Sequence, residues 1–227
     1  WQATWAQAGR RYRLHVLGQA DLVQASNGPG QESRADVGRR LRYLDIINTG
    51  DDLSSTFVTL HEPEGPEGFP ITAAERLPVP PEAGPDAVAL HIDSRWGRYL
   101  LFSDFANACE VAGVRCTGQF GIVATTSAGR TWRLICGESV WTGKITRHTA
   151  DTLTAGTPRP AGWPALPEGV AACVLVGDGT SWTGYPLAGT GRHRVAVRDF
   201  PLPAATTFML PSIRYQEEQE LDDAESR

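Results

Sequence analysis

The chain has 227 residues, 41% of them hydrophobic, with 21 Lys and Arg against 26 Asp and Glu and a formal net charge of −5. A chain of this length can bury a sizeable core as one all-β domain. No apolar run nears the roughly 20 residues of a membrane helix, and no basic stripe offers counterion exchange to nucleic acid, so neither partner is expected.

Charge is unevenly spread. Between residues 216 and 227 stand Glu217, Glu218, Glu220, Asp222, Asp223 and Glu225 against one base. Residues 1–215 are therefore read as a single domain and residues 216–227 as an acidic disordered tail. Trp1 stands where a start Met would, with no signal-peptide pattern around it, which predicts a start inside a longer protein. Every basic side chain except Lys144 is an arginine. Codon bias produces such a pattern, and guanidinium groups also suit two-point recognition of carboxylates or sulfates.

In chain order, residues 12–17 alternate as a strand, residues 41–47 supply a second, and Asn48-Thr49-Gly50-Asp51 turns the chain into a third over residues 53–63. Pro63 lacks a backbone donor and stops that ladder. Residues 71–77, ITAAERL, read as an edge strand between proline-rich loops. From Ala87 onward the signals tighten into hairpins turning at Ser94 to Gly97, at Ser127 to Gly129 and at Gly177-Asp178-Gly179. The proline-rich stretch 152–167 reads as a long connection inside one domain.

The pattern predicts an all-β fold, a mainly antiparallel two-sheet β-sandwich with almost no helix. Alternation predicts Phe57, Val88, Leu90, Leu100, Phe102, Ile122, Trp132, Leu134, Val174, Val176, Val195 and Val197 as its core.

Few residues suggest chemistry. Gly177 to Thr180 lacks the helix start of a phosphate cradle, and Gly137-Glu138-Ser139 lacks the frame of a nucleophile elbow. His91 and Asp93, two apart on one strand face, are weak candidates for a metal that would still need a third ligand. Cys109, Cys116, Cys136 and Cys173 form no CxxC pair, which argues against a zinc ribbon. Cys109 and Cys116 flank a short turn and either bridge a hairpin or stay as buried thiols, and spacing leaves both open. His61 and Glu62 are the preferred candidates for a substrate or domain-interface site, because they stand where a strand feeds a loop stiffened by Pro63 and Pro66.

The stretch Ser55-Thr56-Phe57-Val58 followed by Glu62-Pro63 resembles a segment of the C-terminal β-sandwich of heparinase II/III-like polysaccharide lyases. WQATWAQAGRRYRLHVLG is similar to the strand pair that opens that domain, and residues 86–105 and 120–140 are similar to its following hairpins. Glu64 stands where the family usually has a bulky aromatic. The resemblance implies a non-catalytic sandwich that scaffolds and walls the glycan cleft, a catalytic helical domain upstream as partner, an acidic polysaccharide as substrate and a periplasmic or secreted location. It also implies β-elimination, in which a Tyr or His removes the C5 proton of a uronic acid while another group neutralises its carboxylate. That base lies on the helical domain, so no catalytic residue is assigned here and no cofactor is expected, a structural zinc being known only in some relatives. An autonomous carbohydrate-binding module, with Trp96, Trp132, Trp141 or Trp182 stacking on sugars, or a structural module is the alternative.

Overall fold

The computed structural model describes residues 1–227 except 8, 19, 30–39, 54, 169, 199–205 and 219–227. Among the described residues the protein is all-β, its only helical turn being a 3-10 turn at Pro81–Ala83. It divides into two compact units, Trp1–Arg76 and Leu77–Arg227, where the sequence is read as one domain. Of the tail read from residue 216, Gln216, Glu217 and Glu218 still pair with Arg133, Trp132 and Thr131. The ladder bonds backbone groups, so the solvent-facing carboxylate of Glu217 does not break it. Residues 219–227 lie outside the described residues.

In the first unit, β1 (Gln2–Gln7), β2 (Arg10–Leu17) and β5 (Val58–Pro63) form an antiparallel sheet in the order β1-β2-β5, and β3 (Leu22–Pro29) pairs with β4 (Arg40–Ile47). β6 (Ile71–Leu77) ends at the division between the units. The strand read over residues 53–63 is shorter than expected. Val58 faces Leu17, the last residue of β2, and among the described residues none in that sheet pairs with Phe57. Phe57 therefore stays 46% exposed rather than joining a core.

The second unit begins with the hairpins of β7 (Val88–Ser94), β8 (Gly97–Val111), β9 (Val114–Thr126) and β10 (Thr131–His148). It continues through β11 (Thr152–Ala155), β12 (Cys173–Gly177), β13 (Trp182–Thr190), β14 (Arg194–Val197) and β15 (Thr207–Glu218). β10 belongs to two structures at once. Its residues from Thr131 to Cys136 pair with β9, while Ile145, Arg147 and His148 pair with β11. The added β10–β11 pairing closes β10-β11-β14-β13-β12-β15 into a six-stranded barrel, with β9, β8 and β7 extending from it as an open sheet. A barrel thus stands where a two-sheet sandwich is expected.

β10 passes from one structure to the other at a bulge. The register of β10 against β15 shifts between Cys136 and Val140, and Gly137 there has φ 80°. Its neighbour on β9, Gly118, has φ 92°, and a Cβ on Gly118 would stand 2.8 Å from the Cys136 carbonyl oxygen. Glycine lets the two strands turn together at close approach.

Two cores follow from this geometry. The barrel interior holds Trp141, Leu153, Val174, Val176, Tyr185, Val195, Val197, Phe208 and Leu210, one or two from each strand at period two. Outside it, Leu100, Phe102, Phe105, Cys109, Cys116 and Val123 form a second cluster on one face of the open sheet, beneath the 3-10 turn with Ala83 and Ala87. Of the expected core, Leu90, Leu100, Phe102, Val174, Val176, Val195 and Val197 are buried. Val88, Ile122, Trp132 and Leu134 are half-buried. Ile122 and Leu134 pair with each other on the face opposite Val123, so they cannot reach the second cluster.

Candidate functional site

Alternation along β2 sets Arg11, Arg13 and His15 on one face, and alternation along β5 sets Leu60 and Glu62 on the same face. Glu62 lies directly opposite Arg13 and diagonally to His15. Glu62 is 3% exposed and its carboxylate is fully engaged. Glu62 Oε2 accepts hydrogen bonds from Arg13 Nε at 2.7 Å and His15 Nε2 at 3.0 Å, and Oε1 accepts the backbone N–H of Ile71 at 2.6 Å. Arg13 Nη2 also donates to the Ile71 carbonyl at 2.6 Å. The Gln2 amide donates to His15 Nδ1 at 3.1 Å, which leaves Nε2 as the nitrogen that carries a proton toward Glu62.

Residues 64–70 fold back over this face. Phe69 lies beneath two guanidinium groups, its ring centre 4.5 Å from Arg13 Cζ and 5.4 Å from Arg11 Cζ. Glu64 pairs with Arg11 Nη1 at 2.9 Å, and its N–H donates to the Arg11 carbonyl at 2.9 Å. Burial works to raise the Glu62 pKa, but the bonds from His15, Ile71 and Arg13 outweigh it and hold the carboxyl below the ordinary glutamate value.

His61 and Glu62 are thus separated by the strand itself. His61 faces the other side of the sheet, opposite Leu14, and is exposed. The two do not form one polar pair, because neighbours on a strand point to opposite faces. The alternation of bases at Arg11, Arg13 and His15 and of acids at Glu62 and Glu64 suits this pairing, but nothing local in the residues says that the two strands are neighbours.

His91 and Asp93 do share a face, with His91 Nε2 3.7 Å from Asp93 Oδ1, and Arg98 Nε approaches the same oxygen at 3.5 Å. Among the described residues no group of three or more His, Cys, Asp or Glu gathers around a common point. Of the tryptophans considered for sugar stacking, Trp141 lies in the barrel core at 2% exposed and Trp132 is half-buried beside Tyr215. Trp96 at 57% and Trp182 at 38% are exposed. The Gly177-Asp178-Gly179 segment is a hairpin turn, where Asp178 Oδ1 accepts the N–H groups of Thr180 and Ser181 and the Thr180 hydroxyl, which lower its pKa to about 2.

All four cysteines are free thiols. Cys109 and Cys116 face each other across β8 and β9, and both are buried. Burial pushes the Cys116 thiol up to about 11, with the Val111 backbone and Arg133 opposing and Cys109 adding. Burial raises Cys136 as well. A thiol-alkylating reagent near neutral pH is expected to modify Cys173, the one exposed cysteine, well before the other three, which react at comparable rate only after denaturation. Mass mapping of the labelled peptides checks this; early labelling of Cys116 would contradict the burial described.

Compared with protein families, curated proteins and solved structures, the chain matches no family model, no curated protein and no solved structure.

Proposed function

We propose that this chain is the β part of a heparinase II/III-like polysaccharide lyase, a scaffold that forms one wall of the cleft for an acidic glycan and is inactive alone. The observation that supports this most is the commitment of Glu62. The Glu-Pro corner carries the most specific part of the resemblance, and in this protein its carboxylate is bonded to Arg13, His15 and Ile71. A group held this way builds a surface rather than exchanging protons with a substrate. The barrel and its open sheet take the place of the two-layer sandwich of the family, in a periplasmic or secreted parent. The elimination base belongs to an upstream helical domain, and no cofactor is required of this chain.

The test has two arms. The chain alone, incubated with uronic-acid polysaccharides, is expected to give no unsaturated uronate in the ultraviolet. The intact parent is expected to carry an α-helical toroid before this segment and to form that product. Turnover by the chain alone that is lost in His61→Ala moves the base here, and a parent without a toroid ends the lyase reading.

An autonomous carbohydrate-binding module is favoured by one observation, the exposed Trp96 at a hairpin tip with Arg95 Cζ 5.2 Å from its ring. Loss of glycan retention on an affinity gel in Trp96→Ala would select it.

A further inference from the structure

Thr154 stands in β11 between two arginines. Antiparallel pairing places Arg147 of β10 opposite it on one side and Arg194 of β14 on the other. Leu153 and Ala155 point into the barrel core, so Thr154 points outward, and the two arginines paired with it share that outer face. A register shift between Ile145 and Arg147 is what brings Arg147 into line with Thr154. Strands lie about 4.8 Å apart, which sets the two arginine backbones about 10 Å from each other. Two guanidinium groups can converge from that separation on one small anion.

The row borders a cleft of about 330 Å³ at the tip of the β10–β11 hairpin. One carboxylate, Asp151, lines the same cleft. Its Oδ1 accepts the hydroxyls of Thr149 at 3.0 Å and Thr152 at 3.2 Å, bonds made within its own turn. Elsewhere on the surface Arg11, Arg98, Arg130 and Arg214 each approach a carboxylate within ion-pair distance. Arg147, Arg194 and the Thr154 hydroxyl have no such partner among the described residues. Two arginines, His148 and the Thr154 hydroxyl therefore line one cleft that holds a single acid.

We propose that the Arg147–Thr154–Arg194 row binds a tetrahedral oxyanion, a phosphate or sulfate group, either free or as an ester on a larger molecule. Each guanidinium presents a planar fork of N–H donors to two oxygens, and the Thr154 hydroxyl donates to a third. This site is independent of the lyase reading and stands or falls by its own test.

The whole chain, isotopically labelled, is titrated with inorganic phosphate, inorganic sulfate, glucose 6-phosphate and glucose 6-sulfate at constant ionic strength, following the Thr154 amide by NMR. Saturable shifts with a dissociation constant on the order of 1 mM are expected for at least one probe, with none from sodium chloride. Arg147→Gln and Arg194→Gln are each expected to weaken binding about tenfold and Arg98→Gln to leave it unchanged. Equal binding of ions and esters assigns the site to the free anion, and tighter binding of an ester assigns it to a group on a larger molecule. No saturable shift with any probe, or undiminished binding in the folded Arg147→Gln, Arg194→Gln double variant, overturns the proposal. Unchanged dispersion of the amide spectrum shows that the double variant is folded.

Discussion

Glu62→Ala should destabilise the first unit by about 3 kcal/mol, read as an earlier transition in urea. Removing one member of a buried ion pair leaves the other charge without compensation, at a cost of about 3–5 kcal/mol. The lower end applies because Arg13 keeps its bond to the Ile71 carbonyl and its contact with Phe69. Glu62→Gln keeps the shape and loses the charge-assisted bonds, a smaller cost of about 1.5–3 kcal/mol. The pH dependence has a definite sign. The folded pKa of Glu62 lies below its unfolded value, so its contribution is fully present above the unfolded value and is lost as pH falls through the folded one. In Glu62→Gln that part of the acid-side loss disappears. Urea transitions of the two proteins across the acid range check this, and parallel curves would mean that Glu62 is not the group that titrates.

Trp141→Ala should cost about 4 kcal/mol in the second unit, whereas Trp141→Phe should cost only about 1 kcal/mol. Trp141 is 2% exposed inside the barrel, edge-on to Phe208 at 5.2 Å and to Trp163 at 6.4 Å. Truncation to alanine loses the transfer energy of the whole indole and leaves a cavity that strands closed in a ring cannot easily collapse to fill. Phenylalanine keeps an aromatic ring against Phe208. It also removes an indole N–H that is buried with no hydrogen-bond partner among the described residues, so no bond is lost and an unsatisfied donor is relieved. Equal destabilisation by the two changes would contradict this account of how the indole is packed.

The hairpins are legible in the residues because they are local. Ser94 and Gly97 face each other across a two-residue loop, and Gly177 and Trp182 close the Gly-Asp-Gly turn, as the turn chemistry alone indicates. Barrel closure has no such local mark. Besides the local β10–β11 hairpin, the ring needs distant pairs such as Trp141 with Leu210, and β15 itself is not signalled by a flanking hairpin turn. Burial in the open sheet is misread for a related reason. Leu100 with Val123 and Leu101 with Ile122 place apolar residues on both faces, so alternation cannot say which face carries the core. At the candidate site Glu62 is visible as a polar residue at a strand end. Its role depends on Arg13 and His15, 49 and 47 positions away, which only register brings within reach.

The placement of β15 between β10 and β12 governs when the barrel can close as the chain leaves the ribosome. Every other barrel strand is synthesised before Thr207, yet without Thr207–Glu218 the series β10-β11-β14-β13-β12 is an open ribbon with two unpaired borders. Such borders invite pairing with other chains. Phe208 and Leu210, both buried in the barrel core, arrive with that same strand. The nascent second unit is therefore most vulnerable to aggregation in the interval before β15 emerges.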